Sequence, residues 1–566
     1  MVPILTWAYV SFLLLSVSWA SKCPTKKKPN IIFILTDDQD LRLHSLEYQT
    51  QTMKHLRDGG TSFEKHFSTT AVCCPARVSI LTGKMAHNTN VTDVYPPWGG
   101  YPKFVQEGYN DKYLPVWLQN AGYDTYYTGK LFNAHNLANW NKPLPAGWNQ
   151  TGFLLDPGTY TYYNTCIQMN DQPPAFRPGE YSTDIIANLS LSWLDMAAKS
   201  SRPFFLGLAP IAPHTESIIG RGNSVWFDVP RPAKRHENLF LDSKVPRGPS
   251  FNPEEACVSW VKELHRQNQS VVDYNDSFYV KRLQSLQAVD EMVGALFEKL
   301  KALGMDQNTY VIYTSDNGFH IGQHRLNPGK QCAFEEDVNV PFLIAGPGVP
   351  KNHSVSFTTT HHDFAATIFD LAQIPLRQDF DGTPMPLTLH AMDKVAVSTI
   401  REHVAVEYWG VAGEEGALYR SGVNGSFTPH ANNTYKGIRI VSPQYDLMYT
   451  VWCNHEHELY DMKTDPYQTY NLFQTFVQIN GQPVNNVVSR LDALLMVMKS
   501  CKASQCVEPW LTLHPDGKVT HLIDALDPSL DSFYASQPKV AFTECALGYI
   551  IAAEGAMNVD PYHVPD

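Results

Sequence analysis

Short apolar runs along the chain end abruptly at polar residues, which is the pattern of buried parallel strands. The clearest run is Asn30–Thr36, with the sequence NIIFILT. Similar runs predict strands at 61–68, 124–129, 204–209, 309–315 and 338–345. Shorter runs at 404–408, 437–441 and 446–451 predict a second group of strands closer to the C-terminus. The pattern therefore predicts an α/β fold.

Helices are predicted between the strands, where apolar residues recur every three or four positions. The strongest periodicity covers 276–303 and ends at Gly304. Its apolar stripe, which we assign to core packing, consists of Leu286, Val289, Val293, Leu296, Leu300 and Leu303. Further helices are expected at 113–121, 181–200, 363–372 and 488–499. The Pro-, Gly-, Asn- and Tyr-rich segment 139–179 predicts a long ordered loop, and 217–268 predicts an irregular insertion.

The chain is long enough for more than one domain, since its 566 residues are 43% hydrophobic. We expect a signal peptide at 1–20, a large domain at 21–400, a smaller C-terminal domain at 401–506 and a tail of unassigned role at 507–566. The apolar run at the N-terminus is followed by the small-x-small pattern Ser18-Trp19-Ala20, which fits a secretory signal although Lys and Arg are missing before it. The run is shorter than the ~20 residues of a spanning helix, so no stable membrane insertion is expected.

Other features also fit an exported protein. Asn-x-Ser/Thr sequons occur at Asn90, Asn149, Asn188, Asn268, Asn275, Asn352, Asn424 and Asn432. The ten cysteines lack the paired spacing of zinc fingers, and Cys501 and Cys506 are the best candidates for a disulfide in an oxidising compartment. The net charge of -12 disfavours a nucleic-acid partner, although acidity that serves only solubility would look the same.

Oxygen-bearing side chains directly follow two of the predicted strands. Asp37 and Asp38 follow the first strand, and Asp316 and Asn317 follow the strand at 309–315. Ligands of open α/β sheets bind beyond the carboxyl ends of the strands, so these residues lie where a site is expected. The structural alternatives are helix capping for the first pair and an Asx-Gly turn for the second.

The segment 69–84, TTAVCCPARVSILTGK, combines a cysteine, a rigid turn and a cation. Only Cys73 has Pro two positions and Arg four positions later, at Pro75 and Arg77, so Cys74 is assigned a structural role. The segment also predicts a helix whose N-terminal amides favour an anion. A plain helix start with a buried cysteine pair is the structural alternative.

These segments, with GYDTYYTGK, SDNGFHIGQH and NPGKQCAFEED, together resemble the type I, formylglycine-dependent sulfatases. The resemblance covers about 30–506. It implies an alkaline-phosphatase-like fold, in which helices sandwich a large mixed sheet, with a smaller C-terminal α+β domain on a short antiparallel sheet. It also makes 21–400 the catalytic domain.

The resemblance implies that Cys73 is converted to formylglycine by a formylglycine-generating machinery during secretion, and that the hydrated aldehyde is the nucleophile. The metal ligands it implies are Asp37, Asp38, residue 73, Asp316 and Asn317. Hard oxygen donors of this kind suit Ca²⁺. The catalytic residues it implies besides Cys73 are Arg77, Lys130, His214, His320 and Lys330. The cations would neutralise the sulfate, and His214 or Lys330 would protonate the leaving group.

One position departs from the commoner family pattern, because Phe132 stands two residues after Lys130, where many members carry His. The form GKLFN resembles the glucosamine-6-sulfatase-like branch. Candidates for the missing acid or base are Asn133, His135 and His320.

The function expected first is hydrolysis of a small sulfate ester, most simply an aryl sulfate, by a secreted enzyme. Retention in a cell wall and delivery to a vacuole are alternative destinations. Alternative functions are a carbohydrate sulfatase acting on 6-sulfated N-acetylglucosamine, a phosphomonoester or phosphonate hydrolase, and a non-catalytic glycoprotein that retains the fold. The sequence makes no prediction of oligomeric state.

Overall fold

The computed structural model describes residues 27–219, 225–256, 258–395, 401–416 and 429–557. The predicted signal peptide at 1–20, Cys23, Cys257 and the sequon at Asn424 lie outside the described residues.

Strands and helices alternate through the first two thirds of the described chain. The strands are β1 Asn30–Thr36, β2 Thr61–Phe63, β3 His66–Phe67, β4 Asp124–Gly129, β5 Gln150–Leu154, β6 Asn164–Met169, β7 Ala175–Pro178, β8 Phe204–Ala209, β9 Glu216–Ile219, β10 Val225–Asp228, β11 Thr309–Ser315, β12 Phe342–Ala345, β13 His353–Val355, β14 Thr359–Thr360, β15 His403–Tyr408, β16 Ala412–Gly413, β17 Pro429–His430, β18 Tyr435–Val441, β19 Asp446–Trp452, β20 His457–Asp461, β21 Gln478–Ile479 and β22 Gln482–Pro483. The α-helices are α1 Thr50–Thr52, α2 Cys73–Thr82, α3 Ala86–Thr89, α4 Gly100–Gln106, α5 Leu114–Asn120, α6 Ser182–Ala197, α7 Gln269–Ala302, α8 Glu335–Val338, α9 Asp363–Leu371, α10 Leu389–Lys394, α11 Val484–Met498, α12 Ser504–Val507, α13 Pro509–Leu513, α14 Leu522–Ala525 and α15 Asp531–Ser536.

A ten-stranded mixed sheet forms the centre of the molecule, in the order β13-β2-β12-β11-β1-β8-β4-β5-β6-β7. Its middle, from β11 to β5, is parallel. The neighbours β12 and β6 run antiparallel to this block. The parallel pairing places Thr36 beside Ser315 and Gly129 beside Ala209. The residues that follow these four therefore emerge at one edge of the sheet.

Helices cover both faces of this sheet and bury its apolar side chains. One core contains Val78 of α2, Leu118 of α5 and Phe364 of α9. The core on the other face contains Trp193 of α6 and Leu296 of α7. The stripe predicted on the long helix is thus core packing, and the mixed sheet between helices is confirmed.

Four strand and loop predictions need correction, including the irregular insertion at 217–268, because β10 lies within it and pairs with β9. The segment 139–179 is not one loop, because β5, β6 and β7 lie within it and extend the sheet. Their sequences, QTGFL, NTCIQM and AFRP, carry mixed side chains, and the Pro- and Gly-rich turns between them hid the strand signal. The run at 61–68 is divided between β2 and β3, and 338–345 is a strand only from Phe342, because α8 precedes it.

The four-stranded antiparallel sheet β15-β18-β19-β20 forms the smaller C-terminal layer. Helix α11 covers it, with Leu491 and Leu494 in one core with Tyr449. The same core contains Leu522 and Phe542, so the segment assigned to a tail is packed against this layer. The domain boundaries themselves remain predictions.

Two disulfides lie in this C-terminal region. The expected pair Cys501–Cys506 is present, and a second bond joins Cys453 to Cys545 across 92 residues. In the part of the chain that the structure describes, no helix is both long and apolar enough to cross a bilayer.

Candidate active site

The ends of the central parallel strands bring the predicted polar residues together. Asp37 follows β1, Lys130 follows β4 and Asp316 follows β11, and all three side chains are fully buried. Lys130 Nζ lies 2.6 Å from Asp37 Oδ2. The backbone N–H of Asp38 donates to Asp316 Oδ1 at 3.1 Å, which ties the first strand end to the second. The sheet edge is therefore a dense cluster of charged groups.

Cys73, the first residue of α2, points into this cluster. Its Sγ lies 3.5 Å from Asp37 Oδ1, 4.0 Å from Asp38 Oδ1 and 3.5 Å from Lys330 Nζ. Cys74 instead lies in the apolar core on one face of the sheet. The two adjacent cysteines therefore have different environments, and Cys73, which fits the Cys-x-Pro-x-Arg pattern, is the one that faces the charged cluster.

Arg77 lies one helical turn after Cys73 and connects three parts of the cluster. Its Nε donates to Asp316 Oδ2 at 2.7 Å, and its Nη1 donates to the carbonyl of Lys130 at 2.5 Å. Its Nη2 lies 3.4 Å from Asp37 Oδ2. The guanidinium thus fixes the two strand-end aspartates against the start of α2.

Lys330 neutralises the second aspartate as Lys130 neutralises the first. Its Nζ lies 2.6 and 2.7 Å from the two oxygens of Asp38. Burial alone would raise the pKa of each aspartate, but the attraction of the neighbouring cations outweighs it and the pKa values of Asp37 and Asp38 are lowered. Burial alone would lower the pKa of each lysine, but Asp37 and Asp38 raise the pKa values of Lys130 and Lys330. All four groups are therefore charged at neutral pH.

The thiol of Cys73 behaves differently from these groups. Burial raises its pKa well above the ordinary value, and Lys130 and Lys330 offset only part of that effect. The thiolate is the nucleophilic form of cysteine. As a plain thiol, Cys73 is therefore protonated and a poor nucleophile at neutral pH.

His214 faces the same cluster from the loop after β8. Its Nε2 lies 3.6 Å from Asp38 Oδ2, and its Nδ1–H donates to the carbonyl of Thr215 at 2.7 Å. The ring stacks on Tyr160 with centroids 4.4 Å apart, and Lys130 Nζ lies 4.8 Å from the same tyrosine ring. The orientation of His214 is thus fixed, with Nε2 toward the acidic residues.

Two carboxylates, a thiol and an imidazole lie close enough together to hold a metal ion. Ligand atoms of Asp37, Asp38, Cys73 and His214 all lie within 4.8 Å of one another. The side-chain N–H of Asn317 donates to Asp38 Oδ1 at 2.8 Å, which leaves its buried Oδ1 without a hydrogen-bond partner in the described part of the chain. An uncompensated buried carbonyl oxygen beside carboxylates is the kind of ligand that Ca²⁺ takes.

Comparison with known proteins decides the family. Residues 29–374, more than half of the chain, match the Sulfatase family model. The chain belongs to the sulfatase family. It is 36% identical over 562 residues to an arylsulfatase of Volvox carteri, covering 95% of this chain and 84% of that protein. It is 30% identical over 505 residues to the N-acetylglucosamine-6-sulfatase of Homo sapiens, covering 85% of this chain and 86% of that protein.

Solved structures agree with this membership at the level of the fold. The structure of BT4656 in complex with its substrate D-glucosamine-2-N,6-O-disulfate superposes with a TM-score of 0.60 at 22% identity, covering 79% of this chain and 94% of that chain. The alkaline-phosphatase-like architecture expected of a sulfatase is confirmed.

Two of the residues considered for acid or base chemistry in this sulfatase have partners outside the cluster. The Nδ1 of His320 pairs with Asp337 at 2.8 Å. His135 packs against the ring of Tyr101, and burial lowers its pKa to about 4. Asn133 is closer to the site, because its side-chain N–H donates to the Tyr160 hydroxyl at 2.7 Å.

Phe132 lies in the core, with its ring 4.5 Å from that of Phe104. The position of the usual histidine is thus occupied by an apolar side chain that packs in the core.

One charged residue at the site was not predicted from the sequence. Glu415, just after β16, is buried with Oε1 3.3 Å from Lys330 Nζ and Oε2 3.9 Å from His214 Nε2. No motif marks it, because a glutamate that follows a two-residue strand has no distinguishing local pattern.

Proposed function

We propose that this sulfate ester hydrolase acts on aryl sulfates, with formylglycine formed from Cys73 as the nucleophile and Ca²⁺ as the metal. Membership of the family makes hydrolysis of a sulfate ester the reaction. The observation that carries the proposal is the position of Cys73 Sγ, 3.5 Å from both Asp37 Oδ1 and Lys330 Nζ. A buried, protonated thiol at that position is chemically idle, which supports its conversion to another group.

A hydrated aldehyde at residue 73 would supply the oxygen that attacks sulfur. Asp37, Asp38, Asp316 and Asn317 would hold Ca²⁺ beside it, and the ion would supply Lewis-acid stabilisation of the sulfate oxygens. The remaining contributions come from side chains whose positions are described above.

Three cations reduce the repulsion between an attacking oxygen and an anionic ester. Arg77, Lys130 and Lys330 converge on residue 73 from α2, the end of β4 and the segment after β11. They are buried, so their interactions with sulfate oxygens are weakly screened. Donors held in place in this way stabilise developing charge without reorganising, and one of them is typically worth about 10²–10³ in rate.

Departure of the alcohol requires a proton donor when the leaving group is basic. His214 Nε2 lies 3.6 Å and Lys330 Nζ lies 2.6 Å from a carboxylate oxygen of Asp38. Either nitrogen can carry the proton that the leaving oxygen takes up as the S–O bond breaks.

The choice of an aryl substrate is supported by the Volvox carteri arylsulfatase, which aligns with almost the whole chain. The alternative is a 6-sulfated N-acetylglucosamine. It is supported by the Homo sapiens N-acetylglucosamine-6-sulfatase and by the sequence GKLFN, whose Asn133 contacts Tyr160 at the site. We also propose that the protein is exported, in keeping with the predicted signal peptide and sequons.

The two substrates are distinguished by measuring kcat/KM for 4-nitrophenyl sulfate and for N-acetylglucosamine 6-sulfate. The expected result is turnover of the aryl ester, which Cys73→Ala abolishes and Cys74→Ala preserves. Turnover of the sugar sulfate alone would overturn the aryl assignment. Turnover of neither ester by the wild type would overturn the proposed function.

A further inference from the structure

Glu415 is a buried carboxylate at the active site that lies outside the segment matched by the family model, 29–374. It is 5% exposed. One of its oxygens is 3.3 Å from Lys330 Nζ and the other is 3.9 Å from His214 Nε2. The latter oxygen has no hydrogen-bond partner among the described residues. A buried carboxylate with a free oxygen is costly unless nearby positive charge compensates it, and the ammonium of Lys330 supplies that charge.

The backbone around Glu415 is joined to the segment that carries Lys330. Its own N–H donates to the carbonyl of Pro328 at 2.7 Å. The N–H of Gly413 donates to the side chain of Gln331 at 2.8 Å, and Glu414 bridges to Gly329. These bonds flank Lys330 on both sides in sequence. The two backbone segments that carry Glu415 and Lys330 are therefore joined directly, although 85 residues separate the two residues in the chain.

The ammonium of Lys330 is carried on a long flexible stem, and it lies 2.6 and 2.7 Å from the two oxygens of Asp38. Glu415 pulls on the same ammonium as a second anion. His214 is in the same situation, because its Nε2 lies 3.6 Å from Asp38 and 3.9 Å from Glu415. Each of the two nitrogen donors is thus shared between one aspartate and Glu415.

We propose that Glu415 is a positioning residue that holds Lys330 and His214 where they serve the leaving group. The proposal rests on the proposed function. In the step concerned, a proton passes from nitrogen to the ester oxygen while the S–O bond breaks, and the bonding electrons stay with that oxygen. Loss of Glu415 removes one of the two carboxylates that hold each donor and leaves this transfer poorly aligned.

The consequence depends on the leaving group. A weakly basic phenoxide departs without help from a proton donor, whereas a basic phenoxide or alkoxide needs one. Glu415→Gln keeps the size of the side chain and removes its charge. We expect it to lower kcat/KM for phenyl sulfate roughly 10- to 100-fold more than for 4-nitrophenyl sulfate, the size of effect known for outer-shell partners.

The experiment measures kcat/KM of the full-length wild type, Glu415→Gln and Glu415→Asp over a series of substituted phenyl sulfates. Glu414→Gln is the matched control, because that neighbouring carboxylate pairs with His430 and Asn327 instead. The expected result is a steeper dependence of rate on leaving-group basicity in both Glu415 variants, and an unchanged dependence in the control.

A loss by the same factor for every ester, or no loss, would overturn the positioning role while leaving the proposed function intact. Absence of turnover by the wild type would instead overturn the proposed function, and the inference with it. Thermal unfolding of each variant shows whether it folds. If Glu415→Gln does not fold, the measurement on Glu415→Asp tests the positioning role. This variant keeps the negative charge, but its side chain is one methylene shorter and the carboxylate lies farther from Lys330 and His214.

Discussion

Two adjacent aspartates bind different lysines, and this division organises the site at the residue scale. Asp37 pairs with Lys130 at 2.6 Å, and Asp38 pairs with Lys330 at 2.6 Å. Asp38 adopts a left-handed backbone conformation, with φ of 66°. That conformation is uncommon outside glycine, asparagine and aspartate, and unusual backbone of this kind is found at functional sites.

The sequence predicted most of these residues because each has a local signal. Asp37, Lys130 and Asp316 follow strands, and Cys73 has its fixed companions on one helix turn. Glu415 has no such signal, because it reaches the site only through long-range folding of the chain.

Substitution of Asn317 allows the metal site to be tested without an activity assay. We expect Asn317→Ala to weaken calcium binding roughly tenfold or more, because in the proposed site the Oδ1 of Asn317 is a neutral oxygen ligand. Isothermal titration with Ca²⁺ measures this affinity. Asn308→Ala is the matched control, since Asn308 lies just before the opposite end of β11 and donates to the carbonyl of Lys28. Equal affinity in the two variants would remove Asn317 from the metal site.

At the scale of elements, a buried ion cluster joins the large sheet's helices to the C-terminal sheet. Glu407 of β15 accepts from His87 Nδ1 at 2.9 Å and from Lys436 Nζ of β18 at 2.7 Å. The Nε2–H of His87 donates to the carbonyl of Cys501 at 2.9 Å, so both ring nitrogens are donors and the ring is charged. Burial alone would lower the pKa of His87, but Glu407 raises it.

The sequence predicted these strands but not this cluster. Apolar periodicity identifies β15 and β18 as elements, whereas the pairing of a histidine on α3 with a glutamate far along the chain depends on how the elements assemble. The wrong prediction at 139–179 has a different cause, because the strands β5, β6 and β7 are short and are separated by Pro- and Gly-rich turns.

The ionisation of Glu407 makes the free energy of unfolding depend on pH in the acidic range. Burial alone would raise its pKa, but His87 and Lys436 outweigh burial and the pKa is about 2 rather than 4.5. Because the pKa of Glu407 is lower in the folded state, its ionised carboxylate stabilises the folded protein by about 3 kcal/mol above pH 4.5. This stabilisation is lost as the pH falls from 4.5 toward 2.

We therefore expect Glu407→Gln to lower the free energy of unfolding by about 3 kcal/mol at pH 6, because two buried cations lose their anion. The difference from the wild type should shrink as pH falls from 4.5 toward 2. Urea unfolding at several pH values measures it. A difference that does not change with pH would show that the ionisation of Glu407 plays no part.

At the scale of the whole molecule, the C-terminal segment is a structural part of the protein. Tyr534 and Val540 lie in the core beneath α11, and Cys545 is bonded to Cys453 at the end of β19. The sequence did not predict this, because the segment's apolar residues are scattered over short helices without a strong period. It did predict the Cys501–Cys506 bond, whose partners are close in sequence.

The two disulfides should differ in their contribution to stability. A bond that closes a longer loop restricts the unfolded chain more, and the chain-entropy model gives about 2 kcal/mol for a loop of 5 residues and about 4.6 kcal/mol for one of 92. Thermal unfolding of Cys453→Ala/Cys545→Ala and of Cys501→Ala/Cys506→Ala measures both. We expect the first pair to lower the melting temperature more. The reverse order would contradict a stabilising role of the C-terminal segment.

The chemical state of residue 73 tests the proposed mechanism most directly. Trypsin cleaves after Lys65 and Arg77, so residues 66–77 form one peptide that contains both Cys73 and Cys74. Mass spectrometry of this peptide, from protein made in a host that can form formylglycine, should show an aldehyde at residue 73 and an unchanged thiol at residue 74. An intact thiol at residue 73 in protein that hydrolyses sulfate esters would contradict the mechanism.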